Sequence, residues 1–70
     1  MKIDREFLFE LENCKERKEI QQVIENCDDD DVNKILTEHY KQILKFNKDE
    51  TVMSIKKILI FVYRKYCNEN

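Results

Sequence analysis

Residues 32–46 read VNKILTEHYKQILKF, and they carry the clearest secondary-structure pattern in the chain. Apolar and aromatic side chains recur every three or four residues, which is the spacing of one face of an α-helix. This face comprises Val32, Ile35, Leu36, His39, Tyr40, Ile43 and Leu44. We therefore predict an amphipathic helix that ends near Phe46.

Two shorter amphipathic segments precede this helix, at residues 4–13 and 15–27. Asp4 is the expected cap of the first segment, because Asp accepts hydrogen bonds from the first amides of a helix. Four aspartates at residues 28–31 lie before the long helix and are expected to cap it in the same way. A calcium loop would need a central glycine and a distal bidentate Glu, which this run does not supply.

A fourth helix is expected at residues 48–66, with Asn47 and Glu50 at the spacing of a capping box. It is apolar on most sides, and such a helix is typically central and buried. A strand at 58–63 is the alternative, since β-branched and aromatic residues dominate there. We favour a helix because basic residues continue its polar face on both sides of that run.

The predicted fold is all-α: one domain, residues 1–70, forming a bundle of four or five short helices around the hydrophobic C-terminal helix. The expected core includes Ile24, Ile35, Leu36, Ile43 and Leu59. No apolar run is long enough for a membrane span and no signal peptide is visible, so we expect a soluble chain. If the chain is instead a small self-contained regulator, we expect it to be a complete short reading frame, because it begins with Met and ends abruptly.

Charge is distributed unevenly along the chain, although the net charge is only −2. Residues 1–31 carry 11 acidic and 5 basic side chains, whereas residues 32–70 carry 4 acidic and 8 basic ones. An acidic side and a basic side are therefore expected. A domain of 70 residues also has little room for a deep substrate cavity, so we expect no enzymatic activity and no cofactor.

The potentially reactive side chains are His39 and the cysteines Cys14, Cys27 and Cys67. All four occupy helical apolar faces and lack the paired spacing of zinc ligands, so we expect core residues and no metal. His39 is expected to be half-buried with one hydrogen bond, since no thiol or acid lies near it for catalysis. An odd cysteine number without a secretion signal favours reduced thiols and an intracellular location.

The C-terminal helix offers two further surfaces. Its apolar run is expected to expose some of Ile60, Phe61 and Tyr63. With Arg64 these residues would form an alternative interface for homodimerisation, as in a small self-contained regulator of viral or mobile-element origin. A basic cluster with tyrosines is the pattern of a nucleic-acid contact, but the negative net charge of the chain disfavours a nucleic-acid partner because it repels phosphates. The cluster comprises Lys56, Lys57, Tyr63, Arg64, Lys65 and Tyr66.

Residues 36–67 resemble the last two helices of the transcription elongation factor S-II N-terminal-type domain, in the version found in integrase-binding domains. Lys45-Phe46 is similar to the basic, Phe-containing corner of that family, and Val52-Met53 to the start of the next helix. Tyr63-Arg64-Lys65-Tyr66 is similar to its closing aromatic-basic cluster. The resemblance implies a nuclear scaffold module in transcription or chromatin regulation that captures disordered, acidic-hydrophobic peptides at its interhelical loops.

We therefore expect a non-enzymatic protein-interaction module with its partner site at the corner after the third helix. Phe46 follows the end of the apolar stripe and would offer an aromatic platform for a partner. Lys41, Lys45 and Lys48 surround it and would attract acids. The loop containing Cys14 and Lys15 is included because the resemblance places it beside this corner.

Overall fold

The computed structural model describes residues 3–67, which contain four α-helices and no strand. The helices are α1 (Arg5–Glu12), α2 (Arg17–Glu25), α3 (Asp30–Phe46) and α4 (Val52–Cys67). The predicted all-α bundle is confirmed in its four-helix form, and residues 58–63 lie within α4 as a helix rather than a strand.

Two of the helices begin at aspartate caps. The Asp4 carboxylate accepts hydrogen bonds from the amides of Glu6 at 3.0 Å and Phe7 at 3.3 Å. The Asp29 carboxylate accepts from Asp31 at 3.0 Å and from Val32 at 3.2 Å. These bonds satisfy amides that have no partner within the helix. The capping role predicted for Asp4 and for the aspartate run is confirmed.

The start of α4 differs from the prediction. The helix begins at Val52 rather than Lys48, and the Asn47–Glu50 pair does not cap it. Instead, the Thr51 hydroxyl accepts a hydrogen bond from the Ser54 amide at 3.1 Å. The backbone carbonyls of Lys48 and Glu50 accept from the Arg17 guanidinium, at 2.6 and 2.9 Å. These carbonyls point to Arg17, so residues 48–50 form a turn and not a first helical turn.

The helices pack in a ring: α1 contacts α2 and α4, and α3 contacts α2 and α4. α4 contributes four buried residues at intervals of four, more than any other helix. They are Ile55, Leu59, Tyr63 and Cys67. The other buried residues are Phe7, Leu8, Leu11, Cys14, Ile20, Ile24, Val32, Leu36 and Tyr40.

Three of the five residues predicted for the core are fully buried. Ile24, Leu36 and Leu59 are at most 2% exposed. Ile35 and Ile43 are only half-buried, which corrects the prediction for both. They lie on the flanks of the α3 stripe, whose centre is occupied by Val32, Leu36 and Tyr40.

Candidate functional site

Phe46 is the last residue of α3 and its side chain is 80% exposed, more than any other large apolar side chain described. The ammonium nitrogen of Lys45 lies 5.7 Å from the centroid of the Phe46 ring, within the range of a cation–π contact. Lys41 and Lys48 are also exposed. We call Lys41, Lys45, Phe46 and Lys48 the Phe46 platform.

The turn that follows the Phe46 platform is held by Arg17, the first residue of α2. Its two guanidinium bonds fix the carbonyls of Lys48 and Glu50, and its own carbonyl accepts from the Tyr40 hydroxyl at 3.1 Å. The side chain of Glu50 accepts from Asn47 at 3.0 Å and from Ser54 at 2.9 Å. The turn beside Phe46 is therefore fastened to α2, α3 and α4.

The turn between α1 and α2 lies at the same end of the bundle. The Lys56 ammonium, near the start of α4, donates to the carbonyls of Glu12 at 2.8 Å and Cys14 at 2.7 Å. Lys15 is exposed in this turn, but Cys14 is 3% exposed and its thiol donates to the Glu10 carbonyl. Cys14 is therefore removed from the predicted partner-binding set, because its side chain belongs to the core.

Only part of the predicted alternative interface is exposed in the structure. Phe61 is 64% exposed, with the Lys65 ammonium 5.5 Å from its ring centroid, and Arg64 is exposed beside it. Ile60 is half-buried. Tyr63 is buried, its ring centroid is 4.9 Å from that of Phe7, and its hydroxyl accepts from the Asp4 amide at 2.8 Å. Phe61 therefore reaches the surface, whereas Tyr63 belongs to the core and is not part of the alternative interface.

The same contacts divide the basic cluster considered for nucleic acid. Lys56 is bound to two carbonyls and Tyr63 is buried, so neither lies free beside Arg64 and Lys65. Lys57 and Tyr66 remain exposed. Phe9 and Met53 are also exposed, at 67% and 63%, although neither was among the predicted site residues. The exposure of Phe9 could have been inferred from the sequence, because Phe9 lies off the apolar stripe of α1.

The potentially reactive side chains are occupied or shielded. His39 is half-buried, and its Nδ1 donates to the Ile35 carbonyl at 2.9 Å, as predicted for a single hydrogen bond. Burial raises the pKa of the thiols of Cys14, Cys27 and Cys67, which keeps them protonated and weakly nucleophilic. Across residues 3–67, no three His, Cys, Asp or Glu side chains converge as a metal site would require.

None of the helices within residues 3–67 combines the length and the hydropathy needed to cross a bilayer. Comparisons of the chain with protein-family models, with curated proteins and with solved structures give no match.

Proposed function

We propose that this protein is a non-enzymatic interaction module that binds a short acidic-hydrophobic segment of another protein at the Phe46 platform. The observation that carries the proposal is the 80% exposure of Phe46 between exposed lysines. A partner that covers this ring would remove apolar surface from water, which contributes favourable free energy to binding. The surrounding cations favour a partner that is acidic.

The fastening of the neighbouring turn supports the same role. Binding loses less free energy to ordering when the receptor surface is already rigid. The Arg17 bonds to Lys48 and Glu50 hold the turn in one conformation before a partner arrives. The disordered segment still has to be ordered, so we expect a dissociation constant in the micromolar range.

A nuclear partner in transcription or chromatin regulation is the finer part of the proposal. It rests on the resemblance of residues 36–67 to the S-II N-terminal-type domain, in which Lys45-Phe46 corresponds to the family's basic corner. On this proposal the exposed Lys15 lies at the edge of the site, since its turn shares one end of the bundle with residues 47–51.

The proposal is tested by NMR titration with a synthetic peptide that carries one Phe between Asp and Glu residues. Chemical shifts should move at residues 44–50. Phe46→Ala should weaken binding by about 1–3 kcal/mol, the range for an aromatic anchor. Phe61→Ala is the matched control, because Phe61 is also exposed and also has a lysine over its ring, and affinity should not change.

A charge variant distinguishes electrostatic attraction of the peptide by the lysines from its anchoring by Phe46. Lys48→Glu should mainly lower the association rate, and the effect should shrink as salt rises, because the Debye length falls to about 8 Å near 0.15 M salt. Shifts that cluster around Phe61 and Arg64, with residues 44–50 unchanged, would show that the Phe46 platform is not the binding site.

A further inference from the structure

A continuous groove runs along the face where α1 and α2 meet. It consists of two adjoining cavities of about 380 Å³ each, which share Glu10, Val23 and Asn26 in their walls. Six carboxylates line the two cavities, and no Lys or Arg of the described chain does. These carboxylates are Asp4, Glu6, Glu10, Glu19, Asp28 and Asp29.

The second cavity is the more apolar part of the groove. Its walls include Phe9, which is 67% exposed, and the half-buried Val23. Apolar surface dominates the walls of this second cavity. An occupant therefore has to present apolar side chains flanked by positive charge. We call this surface the α1–α2 groove.

The outward face of α4 has that chemistry. Met53, Lys57, Phe61 and Arg64 recur at helical spacing, and Met53 and Phe61 are more than 60% exposed. Lys65 lies over the Phe61 ring and adds a third cation to the face. From Met53 to Lys65 this face is about 18 Å long, at 1.5 Å per residue. We call it the α4 outer face.

We propose that the α4 outer face of one copy docks into the α1–α2 groove of a second copy of this chain. Helices commonly bind by laying an apolar face into a groove between two other helices. Here the cations of Lys57, Arg64 and Lys65 would meet carboxylates such as Glu6 and Glu10, while Phe61 would contact Phe9. Opposite charges on the two surfaces also speed their encounter.

Charge argues against the symmetric alternative, in which two α4 outer faces pack on each other. That arrangement would bring Lys57, Arg64 and Lys65 of one copy against the same cations of the other, and like charges in an interface are unfavourable. A contact between unlike surfaces has no such repulsion. It joins two copies reciprocally or links them in sequence, depending on the rotation between them.

The proposal is tested with the full chain by sedimentation velocity, from about 10 µM to 1 mM, the range for a weak contact of one helix face. Two variants each disable one surface: Phe61→Glu for the α4 outer face, and Glu6→Lys with Glu10→Lys for the α1–α2 groove. Each should weaken self-association about tenfold or more. All three positions are exposed, so melting curves should show that both variants fold.

Mixing the two variants is the decisive measurement. The Phe61→Glu chain keeps an intact groove and the groove variant keeps an intact α4 outer face, so a 1:1 mixture should associate again. Lys34→Glu, an exposed charge reversal on α3, is the matched control and should behave as the wild type does. The wild-type association should also weaken as salt is raised.

Three results would overturn the proposal. The first is a wild-type chain that stays monomeric at every concentration, which would show that the α4 outer face does not bind a second copy of the chain. The second is a mixture of variants that remains monomeric. The third is a groove variant that associates as strongly as the wild type while Phe61→Glu does not, which would indicate the symmetric α4 contact.

Discussion

Two aromatic residues of α4 show how strongly position on a helix decides the role of a single side chain. Phe61 and Tyr63 are two residues apart, which places them about 200° apart around the helix axis. Phe61 is 64% exposed and Tyr63 is 4% exposed. Tyr63 packs on Phe7 and binds the Asp4 amide, whereas Phe61 is open to a partner. A shift of two residues in the pattern of α4 would turn the helix by about 200° and exchange much of its exposed face with its buried face.

At the residue scale, Leu36→Ala should be strongly destabilising. Leu36 is 1% exposed in the middle of α3, so truncation removes buried apolar surface and leaves a cavity. We expect urea unfolding to show a loss of about 2–5 kcal/mol. Ile35→Ala, at the adjacent half-buried position, should cost clearly less. Equal losses for the two variants would contradict the packing of α3 described above.

Stability should fall in alkaline solution. Burial raises the pKa of the Tyr40 and Tyr63 hydroxyls above the ordinary 10.0, and of the Cys14 and Cys67 thiols above 9.0. The folded chain therefore retains these protons more tightly than the unfolded chain. Their contribution is fully present below about pH 9 and is lost as the pH rises through the raised values.

Urea unfolding between pH 8 and pH 11 measures this loss. Tyr63→Phe removes one of the titrating groups, so its stability should decline less steeply above pH 10 than that of the wild type. The variant should start lower, by about 1 kcal/mol, because the Asp4 amide loses its hydroxyl partner. Parallel declines in the two proteins would show that Tyr63 does not contribute to the pH dependence.

At the scale of the helices, asparagine occupies the position directly after α1, α2 and α3, where many helices have a glycine. Asn13, Asn26 and Asn47 follow α1, α2 and α3, and each has a negative φ. No described residue has a positive φ, so these turns need no glycine. Two side-chain amides add a second hydrogen bond to carbonyls near these helix ends, which also accept from backbone amides. Asn13 donates to Phe9 at 2.7 Å, and Asn33 donates to Ile24 at 2.8 Å.

The cap of α4 gives a prediction at this scale. Thr51→Ala should lower stability by about 1 kcal/mol, because the Ser54 amide would lose the hydroxyl that caps it. Asn47→Ala should cost less, since the Asn47 side chain bonds only to the exposed Glu50 carboxylate within the turn. Urea unfolding of both variants compares the two positions. A larger loss for Asn47→Ala would indicate that the Asn47–Glu50 pair, and not Thr51, caps α4.

At the scale of the whole molecule, two cations join the ends of the helices. Arg17 connects α2 to the turn before α4, and Lys56 connects α4 to the turn after α1. Both donate to backbone carbonyls that no helical amide is placed to satisfy. Because α1 has only eight residues, its C-terminal end depends on such contacts with the rest of the bundle.

Removing the Lys56 contact should loosen α1. Lys56→Met keeps most of the side-chain volume but loses both bonds, and we expect a loss of about 1–2 kcal/mol. Hydrogen exchange of the amides in α1 should accelerate more than that of α3. Lys34→Met, which replaces an exposed lysine of α3, is the matched control and should change stability by less than about 0.5 kcal/mol. Unchanged exchange in α1 would refute the role given to Lys56.

Features that depend on neighbours along the chain can be predicted from the amino-acid sequence. The apolar stripe of α3 and the caps Asp4 and Asp29 involve residues at most four positions apart, so their spacing is visible in the sequence. The exposure of Phe46 was predictable for the same reason, since Phe46 follows the end of the stripe and enters a polar turn.

Features that depend on residues far apart in the chain could not be predicted in this way, because they follow from how the helices pack. α4 begins at Val52 because Arg17, 31 positions before Lys48, binds the carbonyls of the preceding turn. Tyr63 is buried because Phe7 and the Asp4 amide, 59 positions away, lie across the bundle from it. Periodicity identifies the apolar face of each helix, but the packing of the helices determines which part of that face is covered.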